Sequence, residues 1–483
     1  MQTLKDILFG VSLKSLIGNR EEGVSGVAFD SRKVEQGFLF VAVKGLTVDG
    51  HDYIEIAVES GAKVIVCEST PKKRNESITY VEVDNSSKAL GIIASNFYDR
   101  PSEKIKLVGI TGTNGKTTCA TLLFELFQNL GYTVGLLSTV ENKINHEILN
   151  TSFTTPDAVQ LNSLLSNMVE SGCTHCFMEV SSHALVQHRV AGIHFTGGVF
   201  TNISHDHLDY HKTFDEYIAA KKLLFDGLSS ESFALVNTDD KRGSVMLQNT
   251  KADKFRFGIR SMADFKVRII HNTLQGLELN FDGTDVWFRL IGEFNAYNLL
   301  TVYSIAILLD EEKEDVLSGL STTSGASGRF EKIDNKSNVM AIVDYAHTPD
   351  ALENVLKTID DLRTKNETLV TVIGCGGDRD KTKRPKMAEI AALLSDKIIL
   401  TSDNPRSEDP KQILEDMKMG IPKSKERNVM VIEDRKEAIR TACNLVKDKD
   451  IILVAGKGHE TYQEINGERH HFDDREVLGE LLN

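Results

Sequence analysis

The stretch LVGITGTNGKTTCATLL, Leu107 to Leu123, restricts the fold more than any other. KIKLVGI reads as a buried strand. TTCATLLFELFQNLG reads as a helix, with Leu122, Leu123, Leu126, Phe127 and Leu130 on one face and Gly131 placed to end it. YTVGLLST is then the next strand. A glycine-rich turn between a strand and a helix is the setting of a phosphate-binding loop. Backbone N–H groups of Gly112, Thr113, Asn114, Gly115 and Lys116 are expected around phosphate oxygens at the helix start. The Lys116 ammonium would neutralise the outer phosphates, and the Thr117 hydroxyl, beside Thr118, would reach Mg²⁺. The spacing departs from the usual pattern, since Ile110 stands five residues before the Gly-Lys pair and the glycines fall at Gly109 and Gly112. A plain turn would give Gly-Lys-Thr-Thr no reason to open the helix.

A chain of 483 residues exceeds the roughly 100–200 residues of one domain. Breaks near NFYDRPSEK and TTSGASGRFEKID divide it into residues 1–100, 101–330 and 331–483. In the first part GFLFVAV and AKVIVCE read as strands and YIEIAVESG as a helix. MQTLKDILFGVSLKSLIG reads as a short amphipathic helix. Lys5, Asp6 and Lys14 deny it the apolar core of a signal peptide. No apolar run approaches the roughly 18 residues that span a bilayer. A cytoplasmic protein without stable membrane association is expected. In the last part VMAIVDY, LVTVIGC, DKIILTSD, NVMVIED and DIILVAG alternate with helical stretches, which implies a largely parallel, doubly wound sheet. Ligands gather at the carboxyl ends of such strands, where Asp344, residues 374–380, 403–406 and 456–460 fall. FRFGI, FKVRII and GLELNF read as an antiparallel excursion. The fold class expected is α/β in three domains, with a central P-loop ATPase-like mixed sheet and a C-terminal Rossmann-like sheet.

The formal net charge of -14 argues against general nucleic-acid binding, which needs a basic face. The six cysteines are scattered. CTHC, Cys173 to Cys176, lacks a partner pair at zinc-site spacing and reads as reduced thiols entering the buried strand HCFMEV.

GTNGKTT resembles the ATP loop of the Mur ligase family, whose members join an amine to a carboxylate using ATP and which includes folylpolyglutamate synthetases. Glu179 ends the strand in FMEVSSHALVQHRV, and TNISHDHLDYH follows the strand GGVF. Carboxylate and imidazole at adjacent strand ends suit a hard cation. The family pattern D-H-L-D assigns His207 to it, whereas His205 and His211 read as surface charge. In YIAAKKLLF, Lys221 matches the lysine that the family carbamylates with CO2, and Lys222 does not. The resemblance thus implies Mg²⁺ on Thr117, Glu179, His207 and Lys221. Lys116, His207 and Lys221 form the catalytic set, the latter two as metal ligands and not bases. FNAYNLL supplies Asn295 and Asn298 on the adenine side. Arg329 of GRFE and Asp344 and His347 of DYAHTPD flank ATP, with Ser327 where the family usually has proline.

FDSR, VSSHALVQHR and GCGGDRDKTKRP are similar to the branch that adds the third residue of the peptidoglycan stem peptide to UDP-muramoyl-dipeptide. The resemblance places Phe29 and Ser31 at the UDP end and Thr154, Thr155, Ser181, Gln187 and Arg189 on the muramoyl-peptide. In KGLTVDGH, Leu46 and Thr47 replace the His-Gln of some relatives. SDNPRSEDP carries Asp403, Asn404, Pro405 and Arg406, which in the family accompany meso-diaminopimelate. That amino acid has a distal carboxylate, and a guanidinium grips a carboxylate bidentately. Arg379, Asn404, Gly456 and Glu460 match the remaining contacts. A monomer is expected, with domains that close on the substrates. A lysine-adding or folate-glutamating ligase is the nearest alternative. A P-loop regulator that binds nucleotide without ligation is a further one, but it gives DNPR and AGKGHE no role.

Overall fold

The computed structural model describes residues 2–45, 48–149, 154–204 and 208–483, without the side chains of Leu208 and Asp209. Leu46, Thr47, His205, Asp206 and His207 lie outside the described residues. The chain forms two compact units. One comprises Met1–Gly112, Leu123–Thr201 and Asp215–Arg256; the other comprises Thr113–Leu122, Asn202–Phe214 and Phe257–Asn483.

The first unit opens with a sheet of β1 (Leu13–Ile17), β2 (Gly26–Ala28), β3 (Phe38–Val41), β4 (Val64–Cys67) and β5 (Thr79–Val83), in the order β1-β5-β4-β3-β2. Only β1 runs antiparallel to its neighbour. Leu39, Val41, Val64 and Val66 pack on one face, and Phe40, Ile65 and Cys67 on the other. That is the two-residue period of strands covered on both sides. The expected N-terminal helix shrinks to Leu4–Ile7. Gly10, at φ 75°, turns the chain out of the helix, and Leu13–Ile17 pairs with β5 instead.

The same unit contains β6 (Lys106–Thr111), β7 (Val134–Leu137), β8 (Asn142–Ile144), β9 (Glu147–Leu149), β10 (His175–Glu179), β11 (Gly197–Phe200) and β12 (Phe233–Asn237), ordered β9-β8-β7-β10-β6-β11-β12. The five from β7 to β12 are parallel, and β8 and β9 add an antiparallel hairpin. Central β6 runs directly into Gly112. Every residue of β10 is buried, including Cys176, whose thiol burial pushes well up. All six cysteines are unbridged.

In the second unit, Arg268–Thr273, Gly276–Phe281 and Thr284–Phe288 form a three-stranded antiparallel sheet. FRFGI does not belong to it. Phe257 and Gly258 pair in parallel with Phe265 and Lys266, because residues 259–264 carry the chain back to run in the same direction. The unit ends in a sheet of β13 (Glu331–Ile333), β14 (Met340–Asp344), β15 (Leu369–Ile373), β16 (Lys397–Leu400), β17 (Val429–Val431) and β18 (Ile451–Ala455), ordered β13-β14-β18-β15-β16-β17. It is parallel apart from β13. Ile342, Leu453 and Ile398 face one apolar cluster, and Val343, Val454 and Ile399 the other. This is the doubly wound arrangement. Beneath its carboxyl end, the fully buried Arg435 meets Asp474 through two bonds of 2.8 Å and donates to Ser402 O and Ala455 O. It thereby fixes where the chain leaves β16 and β18. Among the described residues no helix is long and apolar enough to cross a membrane.

Candidate active site

The second unit contains the phosphate loop from Thr113 onward. Gly115 takes φ 86°, a left-handed conformation that favours glycine, and the helix Lys116–Asn129 follows. The Thr113 N–H donates to Asn202 O at 2.8 Å and the Asn114 N–H to Asn202 Oδ1 at 3.0 Å. Two amides expected around phosphate are therefore bonded to protein, because Asn202 shapes the loop from outside. The Lys116 ammonium donates to Thr113 O at 2.8 Å. Thr117 and Thr118 are buried.

Arg329 reaches this loop. Its Nη2 donates to Thr117 Oγ1 at 3.2 Å, and its guanidinium lies 4.6 Å from the Tyr345 ring centre. Its Nε is buried without a hydrogen-bond partner among the described residues. A buried donor of this kind needs an acceptor, and a phosphate oxygen is a suitable one. Asp344 accepts the N–H groups of Phe330 and Ala346, both at 2.7 Å, so it braces the turn that presents Arg329. Burial raises its carboxyl above the ordinary range, against the pull of Arg329. Asn298 Nδ2 donates to Asn295 Oδ1 at 2.9 Å, and Asn298 Oδ1 lies 3.6 Å from Cys119 Sγ in the loop's helix. His347 is exposed, its Nδ1 2.9 Å from Tyr345 O. His211, read as surface charge, is instead buried at 4% exposure, with its ring edge-on to Tyr210. A short helix, Leu208–His211, turns it inward.

The first unit brings the muramoyl-peptide candidates together. Arg189 Nη1 donates to Thr155 O at 2.8 Å and Arg189 Nε to Gln187 Oε1 at 2.9 Å. The Thr155 hydroxyl donates to Glu179 O at 2.9 Å and accepts the Ser181 N–H at 3.1 Å. Glu179 Oε1 accepts the Thr139 N–H at 2.7 Å, and the Thr139 hydroxyl donates to Thr154 at 3.1 Å. Ser181 also caps the helix Ser182–Val186. Ser31 is buried and Phe29 packs against the N-terminal apolar cluster. Lys221, 1% exposed, donates to Gly112 O at 2.8 Å and lies 4.4 Å from the Tyr217 ring centre. A carbamate on Nζ keeps one N–H, so that bond is compatible with carbamylation. The Glu179 carboxylate and the Thr117 hydroxyl are hard oxygen donors of the kind Mg²⁺ takes. His207 lies outside the described residues, among which no group of three or more His, Cys, Asp or Glu is arranged for a metal.

The amino-acid candidates converge at the carboxyl ends of β15, β16 and β18, all in the second unit. Asn404 Nδ2 donates to Glu460 Oε2 at 2.7 Å. Gly456 takes φ 114°, a conformation that favours glycine, and a Cβ there would stand 2.8 Å from Asp403 Oδ2. Arg406 sits at φ 51°. Its N–H donates to Glu464 O at 3.0 Å and its carbonyl accepts the Asn466 N–H at 2.7 Å, which stitches it to the hairpin after β18. Its guanidinium Nη1 donates to Gly377 O at 2.7 Å. Arg379 is exposed, and the two arginines flank Gly376. Burial, then Asp403, raises the Glu460 carboxyl.

Three residues of this region were given no role of their own from the sequence. Lys457 is fully buried among Asn404, Glu460 and Asp403. A lysine bracketed by glycines directly after an all-apolar strand was the available signal. Arg384 and Glu408 gave none, since ordinary surface charges look alike in sequence. Arg384, fully buried, grips Glu408 through both Nη atoms at 2.9 and 3.1 Å and Asp416 at 2.9 Å. Glu408 also accepts the Asp378 N–H at 2.6 Å, which locks residues 376–378 to the turn after Arg406. The Arg384 bond holds Glu408 down at about 2 from the ordinary 4.5. A depressed carboxylate stabilises the fold above its unfolded pKa and loses that contribution as pH falls through its folded one. Thermal midpoints should therefore fall between pH 4.5 and about 2, and Glu408→Gln should flatten that part of the profile. An unchanged slope would show that Glu408 is not the group responsible.

Residues 23–98, 110–306 and 328–458 match the models of the Mur ligase family catalytic domain, the Mur ligase middle domain and the Mur ligase glutamate ligase domain. The chain belongs to the Mur ligase family. It is 57% identical over 480 residues, 99% of both chains, to the UDP-N-acetylmuramoyl-L-alanyl-D-glutamate–2,6-diaminopimelate ligase of Cytophaga hutchinsonii. The identically named protein of Phocaeicola vulgatus is 51% identical over 99% of both chains. A solved structure of a ligase of that name aligns over 100% of this chain and 98% of its own, with 32% identity and a TM-score of 0.71.

Proposed function

We propose that this protein is an ATP-dependent acid–amino-acid ligase that adds meso-2,6-diaminopimelate to UDP-N-acetylmuramoyl-L-alanyl-D-glutamate during peptidoglycan precursor synthesis. The observation that carries this reading is the Asp403–Arg406 turn, buried through Pro405 with Arg406 half-buried, beside Gly456 and Glu460, in a chain 57% identical throughout to a ligase of that name. Residues 1–100 hold the UDP end, 101–330 hold ATP and 331–483 hold the amino acid. The protein works in the cytoplasm as a monomer.

A carboxylate is a poor electrophile and must be activated. The γ-carboxylate of the terminal D-Glu attacks the γ-phosphorus of ATP, the bond to the bridging oxygen breaks, and ADP leaves. The diaminopimelate amine then adds to the acyl phosphate, loses a proton, and the tetrahedral intermediate expels phosphate. Lys116 and Arg329 stabilise the charge that builds on the transferring phosphoryl group, and Asn295 and Asn298 shape the adenine side. Thr154, Thr155, Ser181, Gln187 and Arg189 orient the dipeptide. Mg²⁺ would supply charge neutralisation when bound, and Thr117, Glu179, His207 and a carbamylated Lys221 are the residues that would hold it.

The test is an amino-acid panel with purified enzyme, ATP and the UDP-muramoyl-dipeptide. Phosphate release that depends on diaminopimelate and on the dipeptide is expected. Ligation of lysine but not diaminopimelate would sink the reading of Arg406. Slow ATP hydrolysis indifferent to the dipeptide would sink the ligase itself.

A further inference from the structure

Lys457 occupies a place that the reaction as described leaves without explanation. It follows β18 between Gly456 and Gly458 and has no solvent exposure. Its ammonium donates to Asn404 Oδ1 at 3.1 Å, to Glu460 Oε2 at 3.2 Å and to Tyr462 O, and lies 3.8 Å from Asp403 Oδ1. All three donor protons thus have acceptors, which is what permits a buried ammonium. Asn404 Oδ1 also accepts the Glu464 N–H at 2.9 Å. With both donors on Oδ1, the amide has one orientation, and Nδ2 must face Glu460.

The charges point the same way. Two carboxylates, Asp403 and Glu460, face one ammonium. The cluster formally carries one negative charge in excess. Arg435 below is matched by Asp474, and Arg406 turns its guanidinium to Gly377. A ligand ammonium is the complement that completes the cluster.

Building on the ligase reading, we infer that Lys457 is a positioning residue for the amino-acid substrate: it fixes the Asn404 amide and anchors Glu460, leaving one carboxylate charge for the substrate's distal ammonium. It acts through Asn404 and Glu460 and touches no reacting atom.

The experiment measures ligation by Lys457→Met with each substrate varied in turn. The KM for diaminopimelate should rise about a hundredfold, the order expected when one partner of a buried ion pair is removed. The KM values for ATP and for the UDP-muramoyl-dipeptide should stay within about threefold, a difference well under one decade of binding. A uniform loss across all three substrates in a folded protein would overturn the proposal, as would an unchanged KM for diaminopimelate. The double variant Lys457→Met, Glu460→Gln removes the cation with a carboxylate partner and guards against failure of the single variant to fold. Residues that act through each other give non-additive effects, so the loss in the double variant should fall well short of the product of the two single losses. A fully multiplicative loss would sink the idea. If wild-type enzyme ligates some other amino acid, the substrate assignment fails. The lysine proposal is then judged by the same KM split on that amino acid.

Discussion

Lys116→Ala should lower ligation by about three orders of magnitude or more, at the upper end of what one preorganised charge-stabilising donor contributes, with the fold intact. Lys116 is the first residue of its helix. The N-terminus of a helix already carries partial positive charge, so a cation there is unfavourable to the helix itself. Stability therefore does not explain its presence. An anion at the loop does, since it gives the ammonium, which donates to Thr113 O in this structure, a charged acceptor. The thermal midpoint should be unchanged or slightly higher, while phosphate release with saturating substrates collapses. Ligation at the wild-type rate would mean that the loop does not serve the phosphoryl transfer.

The sequence made the loop legible because local chemistry defines it: a strand, a glycine turn and Gly-Lys-Thr at a helix start. The doubly wound sheet was legible for a similar reason, as all-apolar strands spaced by amphipathic helices admit few arrangements. What stayed hidden depends on contacts distant in sequence. Asn202 takes the Thr113 and Asn114 amides from nearly ninety positions away. The burial of His211 depends on a four-residue helix too short to leave a periodic signal. Leu13–Ile17 reads as helix on composition, yet it pairs with Tyr80–Val83. Arg384 and Arg435 look like surface charges until Glu408, Asp416 and Asp474 come to meet them.

Arg406→Asn separates the backbone of its turn from its charge. Asparagine tolerates the left-handed conformation at φ 51° better than other side chains, so the pairing with Glu464 and Asn466 should survive. The guanidinium is lost. Diaminopimelate carries a distal carboxylate that lysine lacks, and only that group requires a bidentate cation. Losing one partner of a buried pair costs about 3–5 kcal/mol, or two to three decades at about 1.4 kcal/mol each. The variant's kcat/KM for diaminopimelate should drop by that much, while any residual turnover of lysine should change far less. The ratio of the two is the informative quantity, because damage to the turn would lower both. An equal loss for both amino acids would place Arg406 in the scaffold. A drop confined to diaminopimelate would make it the residue that reads the distal carboxylate, and the bond to Gly377 O would then be what aims it.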